Sequence, residues 1–432
     1  MDEAGSSLVV HAGHLVDGTG RAPQPDHAVW IQDDRIHAVG AAPQIEQDAP
    51  PAARRIDLGD DAYLAPGLID GHTHLSLAGD GRPYVEMFSE SDEMMVLTGA
   101  LNLRRHLLAG ITTIREHGAR NRVGFTLKEG LGRGFIPGPR MLVSGRPITC
   151  TGGHFHMCNE TADGEEEIRR SVRRLVNEGA DYIKIMASGG GTVGTDPTRA
   201  SYSVAELHAA VHEAHHFHRL TAAHCRARES MVNAVEAGID LMEHAEFLEP
   251  DGDLHFDPDL AEKMTEAGIW ISPTLQAWCR WPRVVCLRHR RDAGDATDEE
   301  LLELEPLEVR ARGRLDVMRR MLDICGKERI VPGTDSGVND LAFGHLDYDL
   351  ELLVEVGFTP AEALESATRV SSEAIGLAAE VGTVEVGRAA DLVAFGGNPT
   401  RDIAAVSDVV AVFQAGLPVV GPDPDPDHGR QL

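Results

Sequence analysis

Between Leu64 and Leu75 the chain reads Leu-Ala-Pro-Gly-Leu-Ile-Asp-Gly-His-Thr-His-Leu: a short apolar run, Gly67 to Asp70, that ends in the pair His72 and His74. In an extended segment the side chains at i and i+2 point to the same face. Two imidazoles on one face, at the end of a buried strand, can bind one cation, and imidazole suits zinc, iron or nickel. The competing reading is two surface histidines in a loop. The Pro-Gly pair upstream and the acidic Asp70 beside it favour a site. If the pair starts a metal centre, its other ligands come from elsewhere in the chain.

A chain of 432 residues exceeds one ordinary core. It calls for two domains or a barrel of about 250 residues or more with additions. The apolar share of 42% supports a large core and argues against disorder. The formal charge of -29 excludes the basic patches of nucleic-acid binders and disfavours anionic membrane surfaces, so neither nucleic acid nor membrane is an expected partner. Only four of the 40 Lys and Arg residues are lysine, and one of them, Lys184, sits inside an apolar run. The six cysteines contain no Cys-x-x-Cys pair and read as reduced thiols. The first residues carry no basic and apolar leader, and no run of 18 apolar residues occurs. A cytoplasmic protein with a small-molecule substrate is therefore expected, and homo-oligomerisation is compatible with the sequence.

Residues 8–64 look all-β, with turns at Asp17-Gly18 and Asp33-Asp34, but hold too few strands for a stable sheet. From residue 65 to about 379, apolar strand candidates alternate with helix-like stretches. The strands are Gly67–Asp70, Ile111–Arg115, Arg140–Ser144, Tyr182–Ala187, Leu220–His224, Leu241–His244, Trp270–Pro273 and Ile330–Gly333. Helices are expected over Glu165–Gly179 and Ser203–Phe217, the second with capping-box spacing at Ser203 and Glu206. The charged stretch 290–312 reads as an extra surface helix. Eight alternations predict an α/β fold, a (β/α)8 TIM barrel over 65–379. A doubly wound sheet is the runner-up, without a Gly-x-Gly-x-x-Gly after the first strand. Residues 380–420 return to β. Because chain ends often lie close together, residues 1–64 and 380–420 are expected to form one small β-sandwich beside the barrel. Residues 421–432 form a polar, proline-rich tail.

In such a barrel the functional residues sit at the C-terminal ends of the strands. Strand one ends in His72 and His74, strand four carries Lys184, strand five ends in His224, strand six in Glu243-His244, and strand eight in Gly-Thr-Asp335. Singly, each has a plainer role: a strand-end histidine as a satisfied polar residue, Asp335 as a turn or N-cap residue, Lys184 as the partner of an acid. Their co-occurrence on one mouth points to a metal site.

These motifs, together with Gly387-Arg-Ala-Ala-Asp391-Leu-Val, resemble the amidohydrolase superfamily over nearly the whole chain. The resemblance implies two divalent metal ions, zinc first among them: His72, His74 and Asp335 on one, His224 and His244 on the other, and a carboxylated Lys184 bridging them. An unmodified ammonium cannot ligate a cation, whereas a carbamate offers two anionic oxygens. Tyr182-Ile-Lys-Ile-Met-Ala-Ser-Gly-Gly, Thr195-Asp-Pro197 and Thr151-Gly-Gly-His154 resemble the group of zinc-dependent prolidases and acyl-amino-acid carboxypeptidases, neighbours of imidazolonepropionase. In that group the histidine matching His154 contacts substrate. Mononuclear deaminases of the superfamily place Glu where this chain has Ala227, so deamination is disfavoured. Prolidase-like members often carry Tyr where this chain has Arg226, which either binds a substrate carboxylate, polarises the carbonyl, or pairs with Glu229 as a surface residue.

The implied chemistry is hydrolysis of a C–N bond of a dipeptide or N-acyl amino acid by a metal-activated hydroxide. Asp335 acts as general base and then acid, with Lys184 and His154 completing the catalytic group. Arg226 and His345, the latter soon after strand eight and the alternative base, complete the substrate-binding candidates. A cyclic amide, carbamate or urea-like substrate is the second reading. A non-catalytic barrel relative is the third, disfavoured by the intact ligand set.

Overall fold

The computed structural model describes residues 6–422, so the start of the chain and most of the polar tail lie outside the described residues. The quoted stretch joins two layers. Its first part belongs to β5 (Tyr63–Pro66) and its second to β6 (Leu68–Thr73). β5 lies in a sheet built from both ends of the chain: β1 (Ser7–Leu15), β2 (Gln24–Gln32), β3 (Arg35–Ala41) and β4 (Arg54–Asp57) from the first segment, with β13 (Leu392–Phe395), β14 (Val409–Gln414) and β15 (Leu417–Val420) from the last. The hydrogen-bonded path is one continuous sheet, β15-β14-β13-β5-β1-β2-β3, with β4 parallel to β1. The seam between the two chain ends is the antiparallel pair β5–β13, Ala65 opposite Val393 and Leu64 opposite Ala394. The N-terminal strands thus gain the neighbours they lack on their own. A short helix, Ala42–Asp48, interrupts a region expected to be all-β; it packs Ala42 and Ile45 on Val9 and Ala28 of the sheet.

β6 opens the second layer. It pairs in parallel with β7 (Ile111–Glu116), and β7 with β8 (Arg140–Val143). A second parallel sheet runs β9 (Tyr182–Met186), β10 (Leu220–Ala227), β11 (Leu241–Leu248), β12 (Trp270–Ser272). Nearly every residue of β6, β7, β9 and β11 is buried, as strands covered on both faces must be. Helices follow the strands. Gly164–Glu178 ends on Gly179 at φ 105°, and Val204–His216 starts with the expected Ser203/Glu206 capping box.

The two parallel sheets meet twice. On one side the backbone of Ile148 exchanges hydrogen bonds with Lys184 and Met186, at 2.9 and 2.8 Å. On the other, the segment 330–336 lies between β12 and β6. The strand expected at Ile330–Gly333 is not a regular strand there. It makes isolated parallel bridges, Ile271 to Ile330 and Thr73 to Ser336. Pro332 has no N–H to donate and only accepts, from Gly71 at 3.2 Å, so a regular ladder cannot form. The helix expected over 290–312 is also corrected. Two helices, Trp281–Ala293 and Asp298–Cys325, flank a break at Gly294, and the second starts on a Thr297/Glu300 capping box. Among the described residues no helix is long and apolar enough to cross a membrane.

Candidate metal and substrate site

The C-terminal ends of the parallel strands surround one cavity. Its walls include His72, His74, His154, Lys184, His224, Arg226, His244 and Asp335. All six proposed metal ligands, with His154 and Arg226, are therefore brought together. His345 is not. Its side chain is 48% exposed, pairs with Asp347 at 3.5 Å and lines a separate surface depression; that aspartate raises its pKa.

Two clusters make up the cavity floor. In the first, His72 Nε2 and His74 Nε2 each lie 3.3 Å from Asp335 Oδ1. The far nitrogen of His72, Nδ1, sits 2.8 Å from Glu243 Oε2. With that carboxylate ionised, Nδ1–H donates and Nε2 keeps its lone pair for a cation. Burial pushes Glu243 up, while Lys184 and Arg115 favour its charged form. Asp70 ties the cluster's two backbones together: its carboxylate accepts from the His72 and Thr334 amides and from the Thr334 hydroxyl, at 3.1, 3.0 and 2.6 Å.

In the second cluster, His244 Nε2 lies 2.8 Å from His224 Nδ1. His244 Nδ1 lies 2.7 Å from the Thr274 hydroxyl and 2.9 Å from the indole N–H of Trp278. These contacts favour opposite tautomers. Trp278 only donates and calls for a bare Nδ1, whereas the Thr274 oxygen can accept from Nδ1–H, the form that frees Nε2. His154 stands beside this cluster, its ring 4.7 Å from that of His224 and its Nδ1 2.8 Å from the Thr192 hydroxyl.

Lys184 lies in the cavity floor with both clusters. It is fully buried and its Nζ has no hydrogen-bond partner among the described residues. Burial lowers its pKa to about 8, against the opposing pull of Glu243 and Asp335. Burial likewise pushes His72, His154, His224 and His244 well below the ordinary histidine range, so the rings are neutral and able to ligate. For Asp335 burial pushes upward, but His72, His74 and Lys184 outweigh it and keep the carboxylate ionised.

Local backbone strain marks the same residues. His244 and Asp335 adopt left-handed conformations, φ 70° and 55°, followed on β11 by Ala245 and Phe247 at 47° and 56°. Such positions cost of order 1–3 kcal/mol each and gather at functional sites. The fully buried Arg314 holds this turn, donating to the carbonyls of His244, Ala245 and Pro273.

Arg226 faces the cavity from the strand-five side. Its Nε donates to Glu246 at 2.5 Å and its guanidinium lies 3.9 Å from the centre of the Trp278 ring. The partner is thus Glu246 and not Glu229, which instead accepts from the Ala200 amide. The sequence reading assigned no role to Glu243, Trp278, Thr274, Arg314 or Tyr84. Only Glu243 carried a signal, as a carboxylate next to a ligand in an apolar strand.

A family model, the amidohydrolase family, matches residues 63–419. The chain belongs to the amidohydrolase family. Ochratoxinase from Aspergillus niger is 28% identical over 444 residues, covering 95% of this chain and 85% of its own, and its crystal structure aligns with a TM-score of 0.79 over 98% of both chains. Imidazolonepropionase from Symbiobacterium thermophilum is 24% identical, covering 89% of this chain and 90% of its own. A crystal structure of a Xaa-Pro dipeptidase with methionine bound in its active site aligns with a TM-score of 0.80 at 25% identity, covering 96% of this chain and all of that one. The fold is thus TIM-barrel-like α/β, and a C–N hydrolase activity is supported.

Proposed function

We propose that the protein hydrolyses the amide C–N bond of a small, carboxylate-bearing substrate, a dipeptide or N-acyl amino acid, with two divalent metal ions bridged by a carboxylated Lys184. On this reading residues 65–379 form the metal-dependent (β/α)8 barrel, with 330–336 as its eighth stave, and 1–64 with 380–420 form the accessory β-sandwich. The observation that carries the proposal is Lys184: a buried amine with no hydrogen-bond partner among the described residues, on one cavity floor with two imidazole clusters. A bare ammonium there would be repelled by cations. A carbamate would add anionic charge beside the His224/His244 cluster, whose carboxylate within reach, Asp335, is shared with His72 and His74.

His72, His74 and Asp335 would hold one ion, His224 and His244 the other, with Lys184 between. Divalent ions at such a site supply Lewis acidity, lowering the pKa of a water and polarising the scissile carbonyl. The residues do the rest. Asp335, ionised at the cavity wall, takes a proton from the attacking water and returns it to the leaving nitrogen. His154 sits where it can contact the substrate beside the His224 ring. The Nη atoms of Arg226 have no hydrogen-bond partner among the described residues and line the cavity, a planar fork suited to a carboxylate. The Xaa-Pro dipeptidase likeness supports the same substrate class.

Neutral cyclic amides, carbamates or ureas are the second reading, favoured by one observation: Glu246 already neutralises Arg226. A panel of dipeptides, N-acyl amino acids and neutral carbamates, run with wild type and Arg226→Met, separates them. Arg226→Met is expected to lower kcat/KM for carboxylate-bearing substrates by about 10- to 100-fold and to leave their neutral analogues nearly unchanged. No loss on either type would favour the neutral substrates. A metal-stripped sample with full activity would overturn the metal mechanism.

A further inference from the structure

The loop after β6 brings a group to the cavity that no strand supplies. Tyr84 begins the short helix Tyr84–Met87, and its half-buried side chain lines the cavity with the proposed ligands. Its ring meets Phe155 edge-on at 5.7 Å and His154 edge-on at 6.4 Å. Its hydroxyl has no hydrogen-bond partner among the described residues. A tyrosine that lends only its ring to a cavity wall usually turns its hydroxyl to water or to a protein acceptor.

The turn after β9 is shaped around this ring. Of the three consecutive glycines there, a Cβ on Gly190 would fall 2.6 Å from the His154 imidazole, and one on Gly191 would fall 2.7 Å from Tyr84 Cε2 and 3.4 Å from its hydroxyl oxygen. Two adjacent residues without side chains thus seat two neighbouring rings. Burial, and then the Asp335 carboxylate, hold the phenol well above its ordinary pKa, with Arg226 opposing. The hydroxyl is therefore a proton-bearing donor at neutral pH, within electrostatic reach of both the proposed base and the proposed carboxylate anchor.

We propose that the Tyr84 hydroxyl donates a hydrogen bond to the scissile carbonyl oxygen as negative charge develops on it, with Gly191 as the seat that holds the ring in place. This rests on the amide-hydrolysis reading above. The phenolic proton stays on Tyr84 throughout; no bond to it is made or broken. A donor already aimed at the developing charge acts on kcat more than on KM.

The test uses the metal-loaded full chain and the best substrate of the panel. Tyr84→Phe is expected to lower kcat by about 10²–10³-fold, the usual effect of removing one such donor, with KM within about threefold, bound metal unchanged and Tm preserved. Affinity for a substrate analogue with a tetrahedral phosphonate in place of the scissile carbonyl falls by a similar factor. Affinity for the product amino acid does not. Gly191→Ala, which crowds the ring, should also lower kcat, and adding it to Tyr84→Phe should cost nothing further, because both act through one hydroxyl. A Tyr84→Phe enzyme with kcat within about threefold of wild type, or with its loss confined to KM, overturns the assignment while the amide-hydrolysis reading stands. A wild type that turns over no amide in the panel and binds no phosphonate overturns both.

Discussion

The two imidazole clusters of the cavity are built differently. In the His72/His74 cluster a carboxylate, Asp335, already lies 3.3 Å from both coordinating nitrogens, and Glu243 on the far side of His72 sets the tautomer that a cation needs. In the other cluster His244 shares Asp335 with His72, their ligand atoms all within 4.8 Å of one another, and Trp278 and Thr274 ask opposite tautomers of His244. On the proposed reading the first is a preset cation site. The second shares that carboxylate and, on the same reading, draws its further anionic charge from a carboxylated Lys184. The proposed assignment then ranks the two sites, with the first expected to bind tightly and the second more weakly and conditionally on the lysine.

The largest effect is expected at the carboxylate. Asp335→Asn keeps a weak oxygen ligand but cannot carry a proton, so kcat should fall by at least the 10²- to 10⁴-fold typical of general acid–base catalysis. A loss below about tenfold in steady-state assays would remove Asp335 as the base, and His345, the alternative expected from the sequence, lines a separate surface depression. Next comes the support beneath the first site. Glu243→Gln should weaken binding of the tighter ion by about 10- to 100-fold, the usual cost of losing such a partner, and leave the weaker one near its wild-type affinity. Calorimetric metal titration reads both; equal weakening of the two would erase the contrast. The smallest effect has the opposite sign. Trp278→Phe removes the donor that favours a proton on His244 Nε2, so the second ion should bind about two- to tenfold more tightly, the size of one net hydrogen bond. Weaker binding would show that the indole supports the site.

Strand-end residues were legible in the sequence because they punctuate apolar runs: His72, His74, Lys184, His224, His244 and Asp335 all follow or interrupt stretches that are wholly or mostly buried. The order of those runs, with β segments at both ends of the chain, carried the architecture. The rest depends on contacts with no local signature. Tyr84 and Trp278 lie on one-turn helices, Tyr84–Met87 and Leu275–Trp278, within connections whose paths are set by tertiary packing. The partner of Arg226 was sought nearby in the sequence at Glu229, three positions away, but β10 and β11 run side by side and bring Glu246 closer. The Ile330–Gly333 segment looked like a strand by composition, and its proline left only isolated bridges there. The long Asp298–Cys325 helix was underestimated because Pro306 sits inside it and its charged face masks the buried residues Leu304, Ala311, Leu315 and Met318.

The ranking of the two sites is tested most directly by counting metal. Protein purified without chelator and loaded with zinc in bicarbonate-containing buffer, then freed of excess ion, is assayed for bound zinc as wild type and as Lys184→Ala. Close to two equivalents are expected in wild type and close to one in the variant, with a short carboxylic acid restoring part of the second equivalent and part of the lost activity. Two equivalents in both proteins, with unchanged turnover, would contradict the account and leave Lys184 a structural residue.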